Sequence, residues 1–155
     1  MKERNVELKK VKIARFMSEE TTAFTAELWV DGKQIGVVKN EGRGGNNQLD
    51  PHEWTPEGHA KVREFEEWCE TQPPSVFEGH SLSMNSDFFL GLLIEDYEEN
   101  AMLKRRCKKH MLVKLVEHAE GEFAQYTAPY TPAFAARVKA SEGDKLVEII
   151  NERFL

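Results

Sequence analysis

The feature that most constrains the fold is the segment TTAFTAELWVDGKQIGVVK, residues 21–39, which predicts a β-hairpin. Apolar and polar side chains alternate along its first half, as in a strand with one buried face. Asp31-Gly32 follows, and it favours a two-residue type I′ turn because both residues tolerate a positive φ angle. This turn predicts that Leu28 faces Ile35 and that Ala26 faces Val37. The predicted core face is Phe24, Ala26, Leu28, Val30, Ile35 and Val37.

The flanking segments predict one more strand and the first helices. A strand over about Val6 to Phe16 precedes the hairpin, and its apolar residues do not fit one register, which a β-bulge would explain. Thr55-Pro56 predicts an N-cap and first helical residue, because proline is favoured at that position. A longer helix is expected from about Ser83 to Lys109. The apolar stripe of the first helix is Val62, Phe65 and Cys69.

The C-terminal third predicts a second hairpin and two short helices. The hairpin covers residues 110–130 and turns near Glu120-Gly121. Thr131-Pro132 repeats the helix-start signal, Gly143 ends that helix, and Asp144 is expected to cap a final helix over residues 145–154.

The predicted element order is therefore βββ–α–α–ββ–α–α, with strands in hairpins and not in βαβ units. This order favours an α+β fold, in which two hairpins and an N-terminal strand form an antiparallel sheet packed with three to four helices. A chain of 155 residues is expected to form a single domain, residues 1–155. The alternative is an internal division near residues 73–80, at Pro73-Pro74.

Composition favours a protein of a reducing compartment. The net charge is −6, which argues against a general nucleic-acid binder and against attachment to a membrane surface. Cys69 and Cys107 are the only cysteines, and we expect both to be reduced and structural. The opening MKERNVELKK has no apolar segment, so we expect no signal peptide. The longest apolar run, Phe88 to Ile94, is too short to span a bilayer.

The glycine-rich stretch NEGRGGNNQ, residues 40–48, is a candidate ligand-binding loop. Successive backbone N–H groups in such a turn can form an anion-binding nest, and an arginine can grip phosphate. The complete P-loop and GxGxxG patterns are absent, so a structural or protein-contact loop is the alternative. The candidate ligand-binding residues are Arg43, Gly44, Gly45, Asn46 and Asn47.

Charged clusters supply two further candidates. An acidic patch in the middle of the long predicted helix is a candidate partner-binding surface, because it could compete with nucleic acid for a basic cleft. The basic run LKRRCKKH, residues 103–110, could contact nucleic acid, but the acidic balance of the chain does not favour this role. The acidic patch is Glu95, Asp96, Glu98 and Glu99.

The sequence predicts neither a catalytic residue nor a metal site nor a cofactor. The five histidines include no HExxH pair, and neither cysteine has a partner at zinc-finger spacing. No GxSxG nucleophile motif occurs. These observations argue against an enzyme without deciding the question.

The segment SEETTAFTAELWVDGKQIGVVKNEGRGG, residues 18–45, resembles the opening of a family of small uncharacterised proteins common in phages and on mobile elements. The shared pattern is Ser-Glu-Glu-Thr, a Phe-Thr-Ala strand, a Val-Asp-Gly-Lys turn and a glycine-rich end. The C-terminal APYTPAFAARVKASEGDKLVEIINERF is similar in character. The resemblance implies a bacterial or phage origin and an accessory role, and it assigns no site residue.

Two functions follow as expectations. The favoured one is a cytosolic accessory protein of a bacterium or phage-infected cell that binds a protein partner, as an inhibitor of a bacterial defence or nucleic-acid-processing system. The alternative is a nucleotide- or phosphate-binding protein that uses the loop at residues 42–45 for sequestration or hydrolysis. The oligomeric state is left open.

Overall fold

The computed structural model describes residues 3–155, and the chain forms two compact units, Met1–Glu95 and Asp96–Leu155. The described residues contain three α-helices and antiparallel sheets of four, two and three strands. The predicted α+β class is confirmed, with the strands distributed over separate sheets. Whether the whole chain behaves as a single domain stays a prediction.

A four-stranded antiparallel sheet in the order β1-β2-β3-β4 dominates the first unit. Its last strand lies within residues 42–51, which the sequence predicts as a loop between the hairpin and the first helix. Four residues of that loop pair with β3, and Pro51 lies at the strand end, where proline is tolerated at a sheet edge. The strands are β1 (Val6–Ile13), β2 (Phe24–Val30), β3 (Lys33–Asn40) and β4 (Gln48–Pro51).

The turn of the first hairpin is confirmed, but its register changes two residues from the turn. Asp31 and Gly32 have φ angles of 51° and 80°, as a type I′ turn requires. A bulge between Leu28 and Trp29 then pairs Leu28 with Gly36 and Ala26 with Val38. The predicted Leu28–Ile35 and Ala26–Val37 pairs are therefore wrong.

This shift of one residue exchanges the two faces of β3 beyond the bulge. Ile35 is buried as predicted, whereas Val37 is 38% exposed and Val38 is completely buried. The predicted core position Val37 is thus wrong by one residue. Phe24, Ala26, Leu28 and Val30 are buried as predicted.

The irregular pattern of β1 also comes from a bulge, as predicted. The pairing of β1 with β2 shifts between Lys9 and Lys12, and Lys10 has a φ angle of 51°. The strand ends at Ile13, before the predicted Phe16, and a short 3-10 turn follows at Arg15–Met17. The bulge brings both halves of the strand onto the core, through Val6, Leu8, Val11 and Ile13.

Helix α1 (Pro56–Glu70) packs on this sheet and begins as the sequence predicts. The Thr55 side chain accepts a hydrogen bond from the Gly58 N–H at 3.0 Å. The predicted stripe of Val62, Phe65 and Cys69 is buried, and Phe65 is in the centre of the core.

A two-stranded hairpin and the start of helix α2 complete the first unit. The hairpin, β5 (Ser75–Phe77) and β6 (His80–Leu82), was not predicted. Helix α2 (Ser86–Cys107) is shorter at both ends than the predicted residues 83–109. Within the first unit its most buried side chains are Leu90 and Ile94.

The second unit contains a three-stranded antiparallel sheet in the order β8-β7-β9. The predicted second hairpin is confirmed, with Gly121 in the turn at a φ angle of 81°. Thr131 caps α3 by accepting a hydrogen bond from the Phe134 N–H at 3.0 Å. The elements are β7 (Leu112–Leu115), β8 (Ala124–Gln125), α3 (Pro132–Glu142) and β9 (Leu146–Ile149).

The predicted C-terminal helix is wrong, because the segment forms β9 and a 3-10 turn at Ile150–Phe154. β9 pairs with β7, which buries Ile149 and leaves Val147 58% exposed. β-branched residues suit such a half-buried strand. Asp144 lies in a 3-10 turn at Gly143–Lys145 and caps no α-helix.

Candidate functional site

The first unit contains an open groove of about 850 Å³. Four segments form its walls: residues 18–22, the loop at residues 44–47, the β5–β6 hairpin, and α2 as far as Glu95. The structure therefore brings most of the predicted glycine-rich loop into one cavity with the first residue of the predicted acidic patch.

Within the described residues, the charged side chains that line this groove are all carboxylates. No lysine, arginine or histidine among residues 3–155 lines it. None of the carboxylates forms an ion pair with any of residues 3–155. We call this cavity the acidic groove, and its carboxylates are Glu19, Glu20, Asp87 and Glu95.

Apolar side chains lie beside these carboxylates. Phe77 and Leu82 project from the same face of the β5–β6 hairpin into the groove, and they are 65% and 42% exposed. Leu92 of α2 is also exposed on the groove wall. Exposed apolar side chains that are rimmed by polar groups are typical of interaction sites.

Asn40, the last residue of β3, organises the loop that forms one wall. Its Oδ1 accepts hydrogen bonds from the Gly42 N–H and the Thr21 hydroxyl, both at 2.8 Å. Its Nδ2 donates to the Gly45 carbonyl at 3.0 Å and to Asn47 Oδ1 at 3.1 Å. A buried side chain with this many partners fixes the loop conformation.

Backbone hydrogen bonds from residues 19–21 also hold the glycine-rich loop in place. The N–H groups of Glu19 and Glu20 donate to the Gly42 carbonyl at 2.9 and 3.0 Å, and that of Thr21 approaches it at 3.4 Å. Gly42 has a φ angle of 83°, and a Cβ there would overlap the Met17 carbonyl oxygen. A nest of N–H groups thus exists, but its acceptor is a carbonyl of the protein itself.

Asn47 joins the loop to the start of α2. Its N–H donates to Asp87 Oδ1 at 2.7 Å, and its Nδ2 donates to the Asp87 carbonyl at 3.0 Å. Asp87 lies in the first turn of the helix, where a carboxylate is stabilised by the helix dipole. The loop and the helix therefore hold one wall of the groove together.

These bonds leave few loop donors for a phosphate. The N–H groups of Gly42, Gly44 and Asn47 already donate to side chains of the first unit. Gly45 and Asn46 lie on the groove wall, next to the carboxylates. Arg43 is exposed and lies outside the groove lining. The phosphate site stays a prediction, and its surroundings are acidic.

The four residues of the predicted acidic patch occupy different surroundings. Glu95 lines the acidic groove of the first unit. Asp96 and Glu99 line a separate cavity of about 450 Å³ in the second unit, with Arg153 on its wall. Glu98 is half-buried in the second unit. A hydrogen bond from Arg153 lowers the pKa of Glu148 in that cavity.

The cysteines are free, as predicted. Burial, together with Glu66 and Glu70, raises the pKa of the Cys69 thiol to about 12. Burial also raises the pKa of Cys107. Because a reactive cysteine needs a lowered pKa, neither thiol is poised as a nucleophile.

Among residues 3–155, no three or more His, Cys, Asp or Glu side chains are grouped as metal ligands. No helix within the same residues has the length and apolar character needed to cross a bilayer.

Most of the groove was missed by sequence reasoning. Glu19 and Glu20 lie in the short connection before β2, and nothing in the sequence around them indicates that they line the same groove as residues of α2. The hairpin could have been found, because Glu78-Gly79 follows the apolar pair Val76-Phe77 and is a turn signal. Both turn residues have a positive φ angle, 49° and 78°.

No protein family matches this sequence, and no curated protein or solved structure is significantly similar to it. The function therefore has to be argued from the geometry of the chain itself.

Proposed function

We propose that the protein binds a protein partner through the acidic groove. The observation that supports this most directly is that one cavity combines four carboxylates, none of them in an ion pair with residues 3–155, with exposed apolar side chains and with no cation from these residues on its walls. The complementary ligand is a segment with lysine or arginine next to apolar side chains. Complementary charge steers such a partner, and the apolar contact supplies affinity.

The distribution of charge along the chain supports the same partner. Met1–Glu95 has 11 Lys and Arg residues against 17 Asp and Glu residues, so it carries the whole net charge of −6. Asp96–Leu155 has ten of each and is neutral. The unit that contains the groove is therefore the one that attracts a basic partner.

The biological setting that we propose is a phage or mobile-element accessory protein in the cytosol of a bacterium. Enzymes that process nucleic acids have basic clefts, because they must bind phosphate backbones. An acidic groove with apolar contacts can bind the rim of such a cleft and block it. Inhibition of a bacterial defence or nucleic-acid-processing enzyme is thus the function that this chemistry fits best.

A capture experiment with charge-matched variants tests the proposal. The groove variant carries Glu19→Gln, Glu20→Gln and Glu95→Gln. The control variant carries Glu66→Gln, Glu67→Gln and Glu70→Gln, which change net charge equally on exposed positions of α1. Each tagged protein is incubated with nuclease-treated bacterial lysate, and captured proteins are identified by mass spectrometry.

We expect the wild type and the control variant to retain the same basic protein and the groove variant to lose it. Phe77→Ser should also lose it without any change in charge. The proposal is wrong if the groove variant captures the same proteins as the wild type, or if the control variant loses them equally.

The alternative is a phosphate ligand that is bound by the glycine-rich loop. The observation in its favour is that Arg43 is exposed and makes no hydrogen bond or ion pair with residues 3–155. Calorimetry against a panel of nucleotides and cyclic nucleotides separates the two functions. A micromolar isotherm that Arg43→Ala abolishes would replace the protein-binding proposal, and we expect none.

A further inference from the structure

The second unit carries a concentrated basic surface that the acidic groove does not use. Five lysines and arginines occur within six residues at the end of α2 and in the turn that follows it, and all five are exposed. An α-helix turns by about 100° per residue, so residues four positions apart lie nearly above one another. Four of the five cations form two such pairs and lie within an arc of about 140° around the helix axis. We call these four the basic face: Lys104, Arg105, Lys108 and Lys109.

None of these cations is neutralised within the described part of the chain. No lysine or arginine of the basic face forms an ion pair with residues 3–155. The positions three and four residues before Lys104 and Arg105 are occupied by Asn100, Ala101 and Met102, which carry no negative charge. The acidic residues earlier in α2 therefore do not compensate this surface.

The cations of the basic face repel one another, and this repulsion destabilises the end of α2. Lys104 with Lys108, and Arg105 with Lys109, are like-charge pairs at a spacing of four residues, which is unfavourable in a helix. Past Cys107 the chain continues in a tighter turn, since the Lys108 and Lys109 N–H groups donate to the carbonyls three residues earlier, those of Arg105 and Arg106, at 3.3 and 3.1 Å. Lys108 and Lys109 therefore stay about one turn from Lys104 and Arg105.

Stabilisation of the helix dipole does not account for this much charge. The dipole is equivalent to about half a negative charge at the helix C-terminus, which a single cation compensates. Arg106, which lies beside the basic face over the Phe123 ring at 5.7 Å, is already such a cation. The four residues of the basic face remain available for a ligand.

We propose that the basic face binds the phosphate backbone of nucleic acid without regard to sequence. The six residues from Lys104 to Lys109 rise about 7.5 Å along the helix axis. Successive phosphates of one DNA strand are spaced about 3.4 Å along the duplex axis, so the face spans two to three phosphates of a strand. Contacts of lysine and arginine to phosphate carry no sequence information, so binding of this kind does not depend on the base sequence.

The test uses the full-length protein and a short fluorescein-labelled DNA duplex, with binding measured by fluorescence anisotropy over a range of salt concentrations. If the basic face neutralises two to three phosphates, the logarithm of affinity falls with the logarithm of salt concentration at a slope of about −1.8 to −2.7. Affinity then decreases roughly 12- to 40-fold between about 50 and 200 mM salt.

Two charge-matched variants locate the surface. The first replaces the four residues of the basic face with glutamate, and we expect it to lose binding at all salt concentrations. The second replaces four exposed cations of the first unit with glutamate, and we expect it to retain the wild-type slope. The control positions are Lys33, Lys39, Lys61 and Arg63.

Circular dichroism and thermal melting establish that each variant is folded. If the glutamate variant of the basic face does not fold, Lys104→Gln with Lys108→Gln removes two charges and should reduce the slope by up to about 1.8. No binding by the wild type at low salt overturns the proposal, as does equal loss in the control variant. Tighter binding to fluorescein-labelled polyglutamate than to DNA also overturns it, because the surface would then fit an acidic protein.

Discussion

The three glycines of the NEGRGGNNQ loop give the sharpest test of how this chain is built, because each occupies a different environment. Gly42 is buried at a φ angle of 83°, where a Cβ would overlap the Met17 carbonyl oxygen and lie 2.9 Å from the Ala23 Cβ. Gly44 has a φ angle of 86°, but a Cβ there would meet the end of the flexible Glu20 side chain. Gly45 has no positive φ angle and open space around it.

These environments predict an ordered series of stability losses. A left-handed conformation costs an ordinary residue about 1–2 kcal/mol. In Gly42→Ala, overlap of the new Cβ with the Met17 carbonyl should also move the Gly42 carbonyl away from the Glu19 and Glu20 N–H groups. Each of these two hydrogen bonds is worth about 1 kcal/mol, so the total is about 3–4 kcal/mol. Gly44→Ala should cost about 1–2 kcal/mol, because the Glu20 side chain can move. Gly45→Ala should be neutral or stabilise by up to about 1 kcal/mol.

Urea unfolding followed by circular dichroism measures the series, with the free energy taken by linear extrapolation. Gly45→Ala is the matched control, since it adds the same methyl group to the same loop. A loss below about 1 kcal/mol for Gly42→Ala would refute the reasoning. So would an equal loss at all three positions, because it would show that the glycines serve mobility and not a fixed backbone.

Three further predictions concern the core and the charged surfaces. Leu28→Ala should lower the free energy of unfolding by about 2–5 kcal/mol in urea titrations, because Leu28 is fully buried. Val37→Ala should change it by less than about 0.5 kcal/mol, because Val37 is exposed. Equal losses for the two variants would contradict the bulged register. The pKa of Cys69 is raised from 9.0 to about 12, so the thiol ionises in the unfolded chain at a lower pH than in the folded protein. The free energy of unfolding should therefore be unaffected by this thiol below pH 9 and should decrease as the pH rises towards 12. Cys69→Ala should flatten that decline in alkaline urea titrations, and an unchanged decline would exclude the thiol as its cause. Lys108→Gln removes the repulsion from Lys104, so it should raise stability by about 0.2–0.5 kcal/mol at low salt, and a lowered melting temperature would argue that the pair is already compensated.

The elements that the sequence predicted correctly are those with a local physical cause. Thr55 and Thr131 each satisfy an orphan N–H group of the helix that they start, which needs no information from distant residues. The Asp31-Gly32 turn depends on the φ preferences of two residues. The buried stripe of α1 depends on helical periodicity alone.

The errors arose where distant segments compete for the same backbone. The C-terminal residues have apolar spacing that suits a helix, but pairing with β7 satisfies their backbone groups and buries Ile149. A bulge two residues from the turn moved Val38 into the core in place of Val37, which the alternating pattern alone could not indicate. In both cases tertiary contacts outweighed a weak local preference.

For the candidate site, too, some features follow from the sequence and others only from the tertiary structure. The sequence by itself determined that the chain is acidic, that its fold is α+β with antiparallel pairing, and that residues 40–48 form an unusual loop. The tertiary structure decided how that loop is held, because Asn40 and the N–H groups of residues 19–21 bond to it internally and Asp87 joins it to α2. It also decided that Glu19, Glu20, Asp87 and Glu95 share one groove, since carboxylates this far apart in sequence become neighbours only when the sheet and α2 pack together.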